Sequence, residues 1–340
     1  MRSFSSIAPL LGIALLAAST AGASVSKPEE IKELNFGIIS TESTQGLKKG
    51  FEPFLEDMSK ALGMKVNAFF ATDYAGVIEG MRFGKVQMAW FGNKSAMEAV
   101  DRSNGEIFAQ TVDKDGNPGY WSLILVHKDS PYTSVDDLVK NAKDLTFGNG
   151  DPNSTSGYLI PNYYLWAQRG IDPMKTFKRV VNSNHEANLL SVANKKVDFA
   201  TNNTENLGKL QKTQPEMAAQ VKPIWKSPLI PSDPLVWRKD LSRELKASIK
   251  GFVLSYGRVG PDAERQRQVL AGLSSGWAPF NESNNRQLLP IREIEIIKET
   301  LKLEGKADQS AEDKAKLAAL RVQLAELQSY VQNLTKFHED

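Results

Sequence analysis

Two distant stretches of this chain are written on one plan. "GMRFGKVQMAWFGN" ends at Asn93 and "LSVANKKVDFATNN" ends at Asn203. Each passes from a helix end through Lys-Val-Gln or Lys-Val-Asp into a short apolar strand that closes on asparagine. Upstream of each, a strand runs into a helix start, "AFFATDYAGVIEG" in one case and "RVVNSNHEANLLS" in the other. Along the chain, β-rich runs bounded by turn residues ("LNFGII", "KVNAFFA", "QMAWFG", "SLILVHK", "LTFGNG", "FKRVVNS", "DFATNN") alternate with helical patterns such as "FEPFLEDMSKALG" and "NYYLWAQRG". That alternation predicts mainly parallel sheets with helices on both faces. The repeat predicts two such lobes in tandem.

"GYWSLILVHKDSP" leaves the first copy as a strand, and the Pro-punctuated "PIWKSPLIPSDPLVWRKDLS" returns after the second. Two crossovers make a hinge with a cleft between lobes. Ligands of open α/β sheets gather at the carboxyl ends of strands, so the residues that follow each strand are the candidates. The first lobe offers Ser40, Thr41, Ser43, Tyr74 and Asn93; the second offers Ser154, Thr155, Ser156, His185 and Glu205; Tyr120 and Asp233 lie at the crossovers.

One loop stands out, "GNGDPNSTSG" over residues 148–157, between a strand and a helix. A helix cap explains one Ser, Thr, Asn or Asp in any protein. The excess here suits an oxyanion cradle, in which first-turn N–H groups and hydroxyls converge on a tetrahedral anion. With His185 these are neutral donors, and no Arg or Lys falls in the candidate segments. Glu205 and Asp233 would repel a purely anionic ligand, so they point to an ammonium group on the same molecule. Tyr74 and Tyr120 would then wall the linker between the charged ends. The ligand so described is a zwitterion with a phosphorus oxyanion at one end. Each residue also has a plain structural use. His185 could cap, Glu205 could favour a helix dipole, Asp233-Pro234 could be a turn, and the tyrosines could simply pack. Trp90, Trp121, Trp166 and Trp225 are assigned to core or hinge packing.

The first residues, "MRSFSSIAPLLGIALLAASTAGAS", carry Arg2, an apolar run and an Ala-x-Ala pattern. This predicts a Sec signal peptide over 1–23 and export to the periplasm. Cysteine is absent, which excludes disulfides, thiol chemistry and a lipidated N-terminal cysteine. With 42 Lys and Arg against 40 Asp and Glu and no basic runs, nucleic acid is not an expected partner. Three scattered histidines predict no metal site, and neither a cofactor nor catalytic residues are expected. Ser154, His185 and Asp151 supply the residue types of a hydrolase triad, but "NSTSG" is not the G-x-S-x-G elbow. In the tail, Leu317, Leu320, Leu324, Leu327, Val331 and Leu334 recur at spacings of 3 and 4. Such a seam predicts self-association as a homodimer, or a helix packed back on its own lobe.

"NFGIISTES", "FFATDYAG", "SAMEAVDR", "PGYWS", "FGNGDPNSTSG", "ATNNTEN", "IWKSPLIPSDPLVWRK" and "GWAPF" closely resemble the periplasmic phosphonate-binding proteins of phosphonate ABC transporters. The resemblance runs from about Leu34 to "LLPIRE" and departs only in the signal peptide, the "DPMKTF" region and the tail. It implies a type II periplasmic binding protein fold, two doubly wound α/β lobes on a two-strand hinge, with a C-terminal helix added. It implies closure on alkylphosphonates such as 2-aminoethylphosphonate, and delivery to an inner-membrane ABC permease through the cleft rim. By the same resemblance, Ser154, Thr155, Ser156 and His185 hold the phosphonate. Glu205 and Asp233 lie near the amine, and Tyr74 and Tyr120 line the pocket. The expected organisation is lobe 1 over 32–123 and 231–303, lobe 2 over 124–230, and a terminal helix over 309–338. The rivals are a binder of phosphite or phosphate and, in another class, a phosphonate or phosphate ester hydrolase.

Overall fold

The computed structural model describes residues 31–336; the expected signal peptide over 1–23 lies outside the described residues. In chain order the strands are β1 (Glu33–Ile38), β2 (Lys65–Phe70), β3 (Met88–Trp90), β4 (Gly105–Asp113), β5 (Gly119–Tyr120), β6 (Ser122–His127) and β7 (Thr146–Gly150). They continue as β8 (Arg179–Ser183), β9 (Phe199–Asn203), β10 (Val221–Lys226), β11 (Ile230–Pro231), β12 (Pro234–Arg238) and β13 (Trp277–Glu282). One sheet runs β13-β4-β12-β3-β1-β2 and the other β10-β6-β9-β7-β8.

The two sheets share a plan. β1 pairs in parallel with β2 and β3, as β7 does with β8 and β9. The sheets are mixed rather than mainly parallel. β12 enters antiparallel between β3 and β4, and β6 lies antiparallel on β9. Both are the strands that follow a crossover. A chain that passes straight from one sheet to the other has no helix with which to reverse its direction, so it pairs antiparallel.

Side-chain alternation builds the second core. Along β6, Leu123 and Leu125 face a cluster with Leu189 and Leu210, while Ile124 and Val126 face one with Phe147, Trp166 and Phe199. Both faces of this strand are covered, so it has no polar side. Burying each such side chain contributes about 1.5–3 kcal/mol. The larger core packs Phe36, Phe51, Phe54, Trp90 and Trp277 against the first sheet.

The hinge is the two-stranded pair β5–β11, with Gly119 opposite Pro231 and Tyr120 opposite Ile230. A Cβ on Gly119 would lie 1.9 Å from the Ile230 carbonyl oxygen, so only glycine lets these strands approach.

The C-terminal helix Ala311–Lys336 starts on a capping box, in which Asp313 N–H donates to Ser310 Oγ and Ser310 N–H to Asp313 Oδ2. It folds back on helix Leu289–Glu304, with Arg321 on Glu304 at 2.7 Å and Gln328 on Glu293 at 2.9 Å. The expected homodimer through Leu317, Leu320, Leu324, Leu327, Val331 and Leu334 gains no support. Leu317 is buried, the other leucines are half-buried and Val331 is exposed, as the helix lies against its own chain. Among the described residues, no helix is long and apolar enough to cross a membrane.

Candidate functional site

Ser154, Thr155, Ser156, His185, Glu205, Asp233, Tyr74 and Tyr120 all line one cavity. Tyr120 and Asp233 arrive there from the two crossovers, and the others through the repeat. Tyr74 and His185 each open the helix after the second strand of their unit, capped by Asp73 and Asn184. Glu205 lies in the first turn of helix Thr204–Thr213, capped by Asn203 at the end of β9.

The loop after β7 is both cap and cavity wall. Ser154 Oγ accepts from Gly157 N–H at 3.0 Å and so caps the helix that begins at Thr155. That helix opens wide, with Leu159 N–H reaching back to Ser154 O. Thr155 Oγ1 accepts from Lys94 N–H at 2.8 Å, and Ser156 Oγ accepts from Asn203 Nδ2 at 3.0 Å. Each hydroxyl therefore receives a protein N–H and keeps its own hydrogen to donate. Three lone pairs satisfied by the protein leave three O–H donors, as an anion site needs.

His185 Nε2 lies 3.4 Å from both Ser154 Oγ and Ser156 Oγ, and 3.3 Å from Asn203 Nδ2. Burial holds the imidazole down at about 4, so the ring is neutral at pH 7. Burial likewise keeps Tyr74 and Tyr120 as phenols, well above the usual tyrosine range, with nearby carboxylates pushing the same way.

The acids form a second cluster. Asp233 Oδ1 accepts from Tyr120 Oη at 2.9 Å and Oδ2 from Trp90 Nε1 at 3.1 Å. Burial nevertheless pushes Asp233 up to about 7, with those two donors opposing. Glu205 is raised well above the carboxylate range, first by burial and then by Asp233 and Asp113, with the Trp277 indole opposing. Among the described residues no Lys or Arg forms an ion pair with either acid.

Not every strand-end candidate reaches the cavity. Thr41 does, but Ser40 and Ser43 are not on its wall; Ser43 caps helix Thr44–Leu62 through Gly46 N–H. Asn93 ties the hinge instead, donating to Pro231 O at 2.7 Å and accepting from Gln287 Nε2 at 2.9 Å. Residues that were not candidates also line the cavity, among them Trp90, which packing alone does not explain, and Asn203, Glu42 and Lys209. Asn203 was signalled by the repeat, whose two copies end on asparagine. Lys209 carries no local signal, and its ammonium is committed to Glu42 Oε1 at 2.6 Å.

Residues 36–288 match the family described as ABC transporter, phosphonate, periplasmic substrate-binding protein. The chain belongs to this phosphonate-binding family. It is 53% identical over 322 residues to the phosphonates-binding periplasmic protein of Escherichia coli K12, covering 94% of this chain and 93% of that one. It superposes with a TM-score of 0.85 on the crystal structure of a binding protein component of an ABC phosphonate transporter from Pseudomonas aeruginosa. That protein is 56% identical, with 89% of this chain and 99% of the other covered. A probable ABC transporter phosphite-binding protein from Prochlorococcus marinus is 28% identical over 203 residues, 58% of this chain and 67% of that one. The fold is that of type II periplasmic binding proteins. Phosphonate-binding proteins are transporter components, not enzymes. Asp151 accepts from the N–H groups of Tyr74 and Asn153.

Proposed function

We propose that this phosphonate-binding component captures an aminoalkylphosphonate, 2-aminoethylphosphonate above others, and presents it to its permease. The observation that carries the proposal is an acid pair, Glu205 and Asp233, on the wall of the same cavity as three hydroxyls poised to donate. Ser154, Thr155, Ser156 and His185 take the phosphonate oxygens by charge-assisted hydrogen bonds. Glu205 and Asp233 take the ammonium, whose charge relieves their mutual repulsion. Tyr74 and Tyr120 flank the carbon linker.

Lobes over 32–123 with 231–303, and over 124–230, belong to the same proposal; β1–β4, β12 and β13 of one sheet and β7–β10 of the other fall within those ranges, while the two cuts fall inside β6 and β11. So do Sec export over 1–23 and a periplasmic home. The rival is an inorganic oxyanion such as phosphite, favoured by the Prochlorococcus relative's description. Two acids have no use for such a ligand. Calorimetric titration with 2-aminoethylphosphonate, methylphosphonate, phosphite and phosphate in parallel tests the proposal. It stands if the aminated ligand binds far tighter than the rest, and fails if all four bind alike.

A further inference from the structure

Lys209 is the cation best placed to spoil an ammonium site. It sits four residues after Glu205 on helix Thr204–Thr213, and both line the cavity. A Glu followed by a Lys at that spacing shares one helix face, in the orientation that favours pairing. The lysine stem is flexible enough to reach. Yet Lys209 Nζ lies on Glu42 Oε1 at 2.6 Å, and Glu42 comes from the loop after β1, in the other sheet's lobe. The pair is well enclosed, the two side chains being 16% and 9% exposed. The neighbouring carboxylate, Glu186, is already engaged by Ser43 N–H at 2.7 Å and Gln214 Nε2 at 3.4 Å. Glu205 is therefore the acid to which a released Lys209 would turn.

We infer that Glu42 is a specificity-determining residue that holds Lys209 away from Glu205, so that the amine end of the cavity stays open to a ligand ammonium. This rests on the zwitterion reading of the site. Glu42 touches no ligand in this account; it acts by keeping a competing cation occupied. Because Glu42 and Lys209 come from different lobes, the sequestration is complete only when the cleft is closed.

The test is a pair of variants in the full mature chain, titrated with 2-aminoethylphosphonate and methylphosphonate. In Glu42→Gln the preference for the aminated ligand falls by about tenfold or more, the scale on which an opposite charge at close range shifts a carboxylate. Adding Lys209→Met to Glu42→Gln restores the preference, because the competing cation is gone. Lys209→Met alone keeps it. The inference is overturned if Glu42→Gln weakens both ligands by one common factor, which would make the pair only a clasp between lobes. It is also overturned if Lys209→Met fails to rescue a lost preference. Wild-type protein without any preference would overturn the zwitterion reading itself, and this inference with it. Thermal unfolding of each unliganded variant identifies misfolding; should Glu42→Gln misfold, Glu42→Ala is scored by the same rescue.

Discussion

The Tyr120 phenol donates to Asp233 Oδ1 across 2.9 Å, joining a residue of β5 to the turn that follows β11. The two crossings of the hinge thus meet at the acid that faces the cavity, and Trp90 Nε1 holds its other oxygen. Both hydrogen bonds favour the ionised form. On the proposed reading, they keep a buried carboxylate available to a ligand ammonium. In Tyr120→Phe, the preference for 2-aminoethylphosphonate over methylphosphonate should shrink by about tenfold, on the order of 1.5 kcal/mol for a hydrogen bond to a charged group. Parallel titrations of the two ligands check it.

The same carboxylate sets a pH dependence whose sign can be worked out. With Asp233 raised to about 7, the folded unliganded protein holds a proton there that the unfolded chain has already lost. Between the ordinary carboxylate range and about pH 7 the native state therefore binds more protons, and this group's contribution to stability falls as pH rises. Above about 7 it levels off. Denaturation at pH 5 and pH 8 should show that slope in the wild type and a flatter one in Asp233→Asn. Binding runs the other way: an ammonium ligand must displace the proton, so its affinity should drop as pH falls below about 7.

Ser156 accepts from Asn203 Nδ2 at 3.0 Å while keeping its own hydrogen to donate. In Ser156→Ala a ligand donor disappears and Asn203 loses an acceptor. Every phosphonate should bind about 10- to 100-fold more weakly, the range for losing one charge-assisted bond, with the preference for the aminated ligand unchanged. A changed preference would place Ser156 near the amine end.

At the hinge, Gly119→Ala would drive a methyl group into the Ile230 carbonyl, 1.9 Å from an ideal Cβ. Strands β5 and β11 would have to part, so the variant should lose both stability and binding. Thermal unfolding with and without ligand measures both losses.

Much of this was legible because strand ends, caps and crossovers are local features. "NSTSG" announced a capped helix start, and the order of strands in the repeat carried Tyr74, His185 and Glu205 to the cavity. What stayed hidden depends on tertiary contacts. Trp90 lies in a short, fully buried strand, where any aromatic suggests core, and only the hinge turn brings Asp233 to its indole. Lys209 is an ordinary helical lysine until the Glu42 loop of the other lobe closes over it. The mixed sheets arise where crossing strands pair, which no single segment encodes. The leucine seam was visible with two partners open to it, a second copy or its own lobe, and its contacts with helix Leu289–Glu304 lie on the second.

The central claim is that neutral donors hold the oxyanion while Glu205 and Asp233 hold an ammonium. The most direct measurement is the ratio of dissociation constants for methylphosphonate and 2-aminoethylphosphonate, in the wild type and in Glu205→Gln. The account predicts a large ratio in the wild type that collapses in the variant, with methylphosphonate affinity kept. A ratio near one in the wild type, or one that survives Glu205→Gln, would contradict it.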